Sequence, residues 1–328
     1  RQVDDRQGHG LYILTGSATP NEDANRHSGA GRFGVIAMRP MSLFESGHSS
    51  GEVSLAALFA GDAPTADGTH LSFEDLVGRV VIGGWPELLD ADENDARDWL
   101  SDYLTQVAEI DVPSLGPRRN PRNVRRLLAS LGRAVGQAAK GSELAKDVGG
   151  ADGPIAKETL AGYLDALDRV HLLDNSAAWR PHMRSRARLR TSPVRYFADP
   201  SLGPAALDIG GAELIADPRA LGFHFEALAI RDLRIYAQPL LGVVDSWRDS
   251  NGNEVDAIVT TRSGWGAFEI KLNPAAVDDA AAALRRFAAS VDTTVHGVPK
   301  VLGVITSTGY AGRRDDGVHV VPISTLGP

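Results

Sequence analysis

The chain has no cysteine among its 328 residues. Disulfides, thiolate zinc sites and cysteine nucleophiles are therefore excluded, and the absence fits a cytoplasmic protein. No apolar run approaches the roughly 20 residues that a membrane span needs, and no signal-peptide pattern opens the chain. A membrane partner is not expected. A phosphate-binding G-x-x-x-x-G-K-[ST] loop is also missing, since Gly136 to Ser142 (GQAAKGS) has the wrong spacing. The first residue is Arg1 rather than methionine, so the sequence reads as a fragment of a longer protein.

What is present is enough for two or three domains with a sizeable core. Apolar residues make up 43% and charged residues 23%, ordinary values for a soluble globular protein. The net charge of −8 is unevenly spread. Between Val112 and Arg195 there are 16 Lys and Arg against 7 Asp and Glu, a net of +9, which leaves −17 for the remainder. One basic cluster holds Arg118, Arg119, Arg122, Arg125 and Arg126. A second holds Arg180, Arg184, Arg186, Arg188, Arg190 and Arg195. Such clusters can neutralise nucleic-acid phosphates. They can equally form a solvated face or meet acids elsewhere in the chain, and both readings stay open.

The most informative stretch is Val243 to Leu272, VVDSWRDSNGNEVDAIVTTRSGWGAFEIKL. Asn251-Gly252 and Ser263-Gly264 read as tight turns joining three short strands. The two-residue period puts Glu269 and Lys271 on one face and Phe268 and Ile270 on the other. Asp256, one strand earlier, can lie beside that pair. Two carboxylates and an ammonium on one face suit a Mg²⁺-dependent phosphodiester-cleaving site, in which oxygen ligands hold the hard cation and the lysine stabilises the attacking hydroxide. Acids on the exposed face of a hairpin are the plain alternative. Upstream, Gly222 to Arg231 has helical spacing and contains Glu226. Downstream lie an alanine-rich helix from Pro274 to Ser290 and a strand at Val301 to Thr306. Helix, three strands, helix, strand resembles the restriction-endonuclease-like core, and Glu226, Asp256, Glu269 and Lys271 resemble its PD-(D/E)XK constellation. Val255 stands where that pattern has proline.

From the amino end, Leu11 to Leu14 reads as one buried strand ending in Thr15, Gly16 and Ser17, and Val35 to Met38 as another. G-x-G-x-x-G at Gly29, Gly31 and Gly34 lacks its strand and helix, and G-x-S-x-G at Gly47 to Gly51 lacks its strand, so both read as loops. Leu71 to Ile110 is helical, interrupted by a turn at Gly83-Gly84-Trp85-Pro86. A helix at Val124 to Ala138, another capped by Ser142, a glycine turn and a longer helix from Pro154 suggest a helix-turn-helix. In it Lys157 and Thr159 would face a groove, and the arginine-rich segment after Trp179 would be the wing. On the helix after Lys271, Arg285 and Arg286 either meet phosphate or form a solvent face.

The strings ILTGSA (13–18), GAGRF (29–33), RPMSLFE (39–45) and GGWPE (83–87) resemble a family of AAA-like ATPases. That family carries a carboxyl-terminal domain of unknown function with a restriction-endonuclease-like fold. The resemblance implies that Thr15 or Ser17 is a polar sensor near the nucleotide, with Arg32 close by, and that Asp199 of Tyr196-Phe-Ala-Asp199 is a peripheral acid. It implies ATP as the family's cofactor. This chain lacks the Walker motifs and is not expected to bind or hydrolyse ATP alone.

The expected fold class is a multidomain α/β protein. Residues 1–115 would be a partial AAA-like P-loop remnant with a helical lid, 116–195 a winged helix-turn-helix, and 196–328 a PD-(D/E)XK nuclease-like domain. Asp256 and Glu269 would hold Mg²⁺, with Lys271 and Glu226 completing the catalytic set. DNA is the expected partner, and self-association into a homo-oligomer stays open. The alternative is a non-catalytic DNA- or protein-binding module that regulates the ATPase.

Overall fold

Alternating apolar and polar residues between two glycine turns produce the centre of the molecule. The computed structural model describes residues 12–16, 34–116, 119–180, 192–249 and 251–328. Two short strands, β1 (Val53–Ser54) and β2 (Ala66–Asp67), come first. The meander then runs through β3 (Val243–Arg248), β4 (Glu254–Thr261) and β5 (Gly264–Lys271), all antiparallel. Gly252 and Gly264 have φ of 86° and 142°, a region that costs glycine nothing and other residues strain. The Asp249 carboxylate accepts the amides of Asn251 and Asn253 and so fixes the first turn. Next come β6 (Val301–Thr306), β7 (Tyr310–Arg313), β8 (His319–Pro322) and β9 (Leu326–Gly327). β6 runs parallel to both β5 and β8. The seven-stranded sheet has the order β2-β7-β8-β6-β5-β4-β3, mixed but mostly antiparallel. β1 and β9 form a separate parallel pair that joins the residues around Val53 to the carboxyl end.

Among the described residues, the helices of six residues or more are α1 (Leu55–Ala60), α2 (Phe73–Ile82), α3 (Glu93–Gln106), α4 (Pro121–Arg133), α5 (Gly141–Gly149), α6 (Lys157–Arg169), α7 (Leu202–Leu207), α8 (Gly211–Ala216), α9 (Pro218–Ala237) and α10 (Val277–Ser290). α9 starts where Asp217 accepts from the amides of Arg219 and Ala220, with Pro218 in the first turn, where its missing N–H costs nothing. Ser142, expected to cap a helix, lies inside α5 instead, whose cap position is Lys140. Among the described residues no helix is long and apolar enough to cross a membrane.

Three cores hold these elements. Phe225, Leu228 and Leu233 of α9 meet Ala257, Val259, Phe268 and Ile270 of the sheet, together with Leu43, Leu55, Leu58, Val77 and Val80. Leu284 and Phe287 of α10 cover Ile258, Trp265 and Ala267. A helical core gathers Leu100, Leu127, Leu131, Leu144 and Leu167 with Phe197 and Leu202. The boundaries read from sequence, 1–115, 116–195 and 196–328, do not follow these cores. Residues 43–81 share the core of the sheet and α9, while Phe197 and Leu202 join the helical core. The expected strands near Leu14 and Val35 are also absent. Residues 12–16 and 34–38 form no strand, with Ile13 90% and Val35 94% exposed. An extended segment becomes a strand only with a neighbouring ladder, and none runs beside them among the described residues.

A buried ionic network ties the pieces together. Arg231 of α9 donates to Asp199 at 3.0 Å and to Asp232 at 2.8 Å, with all three side chains almost wholly buried. Asp199 also accepts from the Ser201 hydroxyl and amide and from the Gly84 amide. Asp232 accepts from the Leu43 amide. A side-chain carbon at Gly84 would lie 2.0 Å from the Met41 carbonyl oxygen, and one at Gly83, where φ is 81°, 2.2 Å from Asp199. The strings around Met41, Gly83 and Asp199 therefore meet at one structural joint.

Removing Asp199 would leave a buried guanidinium with one carboxylate short, so Asp199→Ala is expected to cost about 3–5 kcal/mol. Gly84→Ala should also destabilise, through collision with backbone. Urea unfolding checks both, and a midpoint equal to wild type for Asp199→Ala would contradict the assignment.

Candidate functional site

The sheet forks where the acids gather. The β4–β5 pairing runs from Thr261↔Gly264 to Ala257↔Phe268. Beyond it, the Ile270 amide donates to the Asp256 carboxylate at 2.7 Å. β4 continues against β3 through Trp247↔Val255 and Arg248↔Glu254, while β5 continues against β6 through Lys271↔Thr306. Between Asp245 and Trp247 the register slips, so three steps on β4 oppose two on β3. Val255 and Ala257 consequently enter different cores, and Asp256 leaves the simple alternation expected of it. A bulge of this kind re-aims a side chain at a strand's end.

Lys271 bridges the two acids. Its ammonium lies 2.5 Å from Glu269 and 3.2 Å from Asp256. Glu269 is 4% exposed, and its Oε1 is buried without a hydrogen-bond partner. Burial first, and the Asp256 charge second, push the Glu269 carboxyl up to about 8. The two acids hold the Lys271 ammonium cationic against its desolvation. Glu226 of α9 is half-buried, and burial together with the Asp256 charge raises it well above the ordinary carboxyl range. Its Oε1 accepts from the Tyr196 hydroxyl. The Tyr196 ring lies under Arg234, 5.4 Å away, and Arg234 in turn donates to the Asp174 carbonyl and the Ser176 hydroxyl. Asp256, Glu269 and Lys271 are thus in direct contact, with Glu226 coupled to them electrostatically.

Tyr196 and Arg234 were not singled out from sequence. The available signal was the Tyr-Phe-Ala-Asp string, read only for its aspartate. Asp199 belongs to the Arg231 network and not to this group. Thr15 is exposed in a segment without strand structure, while Ser17 and Arg32 lie outside the described residues. Arg285 and Arg286 are exposed on α10, and Lys157 and Thr159 on α6. Much of the first basic cluster serves internal contacts. Arg119 donates to the Gly162 and Val112 carbonyls, Arg125 pairs with Glu109, and Arg126 donates to the Val148 and Gly149 carbonyls at the end of α5. Arg118 and most of the second cluster lie outside the described residues.

A cleft of about 490 Å³ opens onto Glu226, Glu254 and Asp256. Its other walls come from the end of α4, α5 and the segments around Ala178 and Val194. Backbone bonds hold those walls against the sheet, from Trp179 to Ser246 at 2.7 Å and from Ser246 to Ala177 at 2.9 Å. Among the described residues no three His, Cys, Asp or Glu side chains are grouped to enclose a metal ion. Two adjacent carboxylates with one unpartnered buried oxygen nevertheless fit Mg²⁺, which is commonly held by one or two carboxylates plus water and substrate phosphate.

Glu269 yields a pH prediction. A folded-state pKa above the unfolded value means that the folded chain binds the extra proton between about pH 4.5 and 8, so its contribution to stability falls as pH rises through that window. Glu269→Gln is expected to flatten the decline in melting temperature across it. Calorimetry showing the same slope in both proteins would exclude Glu269 as the source.

Residues 73–213 match a domain of unknown function (DUF8612), and residues 221–326 match another (DUF4143), one commonly found in AAA-like ATPase proteins. Uncharacterized proteins of Mycobacterium tuberculosis and Mycobacterium bovis are each 28% identical over 190 residues, 58% of this chain and 41% of theirs. The match thus spans about two-fifths of those relatives' length. No solved structure matches the chain.

Proposed function

We propose that the carboxyl-terminal part is a PD-(D/E)XK-type, Mg²⁺-dependent nuclease-like domain that acts on nucleic acid as part of an AAA-like ATP-binding protein. The observation that carries this reading is the contact of Asp256, Glu269 and Lys271 at the sheet's fork, with Glu269 Oε1 left unpartnered. The order α9, β3, β4, β5, α10, β6 supports it, being that of the restriction-endonuclease-like core. So does position, because Lys271 ends β5 beside the end of its parallel neighbour β6, and ligands of α/β sheets gather at carboxyl ends of strands.

Asp256 and Glu269 are the residues that would hold Mg²⁺, and the bound ion would polarise the phosphate and lower the pKa of water. Lys271, freed from the carboxylates, would orient the attacking water and stabilise charge on the phosphoryl oxygens. Attack forms a new phosphorus–oxygen bond as the bond to the leaving sugar oxygen breaks. Glu226, steadied by Tyr196, would assist beside Asp256. In this reading α5, the turn at Gly150–Asp152 and α6 would be the helix-turn-helix, with the bridged segments at Leu173↔Phe197 and Ser176↔Val194 as its wing. The sensor roles of Thr15, Ser17 and Arg32 remain part of the ATPase reading.

A second reading, a non-catalytic DNA- or protein-binding module that regulates the ATPase, has an observation of its own. Lys271 already pairs with both carboxylates, and no third acid completes a metal cage among the described residues. Nicking of supercoiled plasmid in Mg²⁺ or Mn²⁺ decides between them. The nuclease reading expects Asp256→Ala to abolish nicking and Lys271→Ala to slow it roughly 10²–10³-fold, as for loss of one charge-stabilising group. A wild-type protein that neither nicks DNA nor gains melting temperature with either ion would leave the binding module.

A further inference from the structure

We propose that Lys271 latches the acid group: its ammonium holds Asp256 and Glu269 against a divalent cation until a phosphodiester draws it away, so that cation and nucleic-acid backbone bind cooperatively. The latch rests on the reading of Asp256 and Glu269 as a metal site, and adds how that site is regulated.

The carboxylates are the less accessible partners. Side-chain exposure rises from 6% at Glu269 and 10% at Asp256 to 30% at Lys271, so a ligand arriving from solvent meets the ammonium most readily. Lys271 Nζ lies 2.5 Å from Glu269 Oε2 and 3.2 Å from Asp256 Oδ2. A dication held by those same oxygens would crowd the ammonium, and like charges so close repel strongly where water is scarce. One of the two must leave, and Lys271 is able to. It is the last residue of β5, and its ammonium is carried on a flexible four-carbon stem.

The acids keep their places when the lysine goes. Asp256 Oδ2 also accepts from the Ile270 amide at 2.7 Å, a bond that does not involve Lys271. Glu269 is held within β5, paired with Val304 of β6. Its Oε1 is buried without a hydrogen-bond partner, so the ammonium satisfies only half of that carboxylate. A phosphodiester oxygen offers Lys271 another charge-assisted bond, made nearer to solvent. Drawing the ammonium to a phosphate uncovers both carboxylates, and a cation on the carboxylates releases the ammonium to the phosphate. Each ligand then raises the affinity of the other by the same factor.

Calorimetric titration of Ca²⁺ into the full chain, with and without a saturating short DNA duplex at fixed ionic strength, tests the latch. Ca²⁺ is a hard, oxygen-seeking cation like Mg²⁺, and a gel confirms that the duplex stays intact. In wild type the duplex should tighten Ca²⁺ binding at least about fivefold, and Ca²⁺ should tighten duplex binding, read by anisotropy, by the same factor. Screening acts in the opposite direction, since added salt weakens DNA binding. Lys271→Met should bind Ca²⁺ without DNA at least about fivefold more tightly than wild type, because the cost of opening is gone, and its coupling factor should fall close to one. Equal Ca²⁺ affinity with and without duplex in wild type, or undiminished coupling in Lys271→Met, overturns the inference. The wild-type comparison decides even where Lys271→Met does not fold. Nicking in Mg²⁺ without coupling sinks the latch alone. Coupled binding without nicking in Mg²⁺ or Mn²⁺ sinks the nuclease reading alone, and no Ca²⁺ binding by either protein sinks both.

Discussion

Arg231 lies buried between Asp199 and Asp232, and that guanidinium fixes the relation of α9 to everything around it. A cation taken out of water is tolerated only where carboxylates and further hydrogen bonds surround it. Here those partners come from three distant stretches. Asp199 brings the Gly83–Gly84 turn and Ser201, and Asp232 brings the Leu43 amide. Because α9 also carries Glu226 and Arg234, the same joint sets the height of the acid group and the seat of Tyr196. Charges three to five residues apart on one helix thus reach three different parts of the molecule.

The site is a balance between burial and charge. Asp256, Glu269 and Glu226 repel one another in a poorly hydrated place, and Lys271 alone among their direct partners is cationic. Protons and one ammonium keep the group bearable without any other cation. In the proposed function a divalent ion would take the place of those protons and of Lys271 against the carboxylates, which relieves the same repulsion. This links the resting electrostatics to the proposed chemistry.

The meander was legible because its two turns carry Asn251-Gly252 and Ser263-Gly264, and its strands alternate. That period brought Glu269 and Lys271 together from sequence alone. The slip between Asp245 and Trp247, which turns Asp256 toward the acid group, has no sequence marker. Nor does Tyr196, whose partner Glu226 lies 30 residues away. The arginines at 119, 125 and 126 looked like a phosphate-binding stripe but mostly hold helix ends and acids within the chain. Leu14 and Val35 sit in runs with the composition of strands but have no ladder beside them among the described residues.

Periodicity, glycine turns and the missing cysteine are properties of neighbouring residues, so the chain by itself determined its local elements, the absence of thiol chemistry and the alternation that pairs Glu269 with Lys271. Contacts between distant segments decided the rest. They set the joint at Arg231, the shared core of residues 43–81 with α9, and the fork that collects the acids. The reason is that a buried charge or an unpaired strand can be satisfied by many partners far along the chain, and only packing selects one.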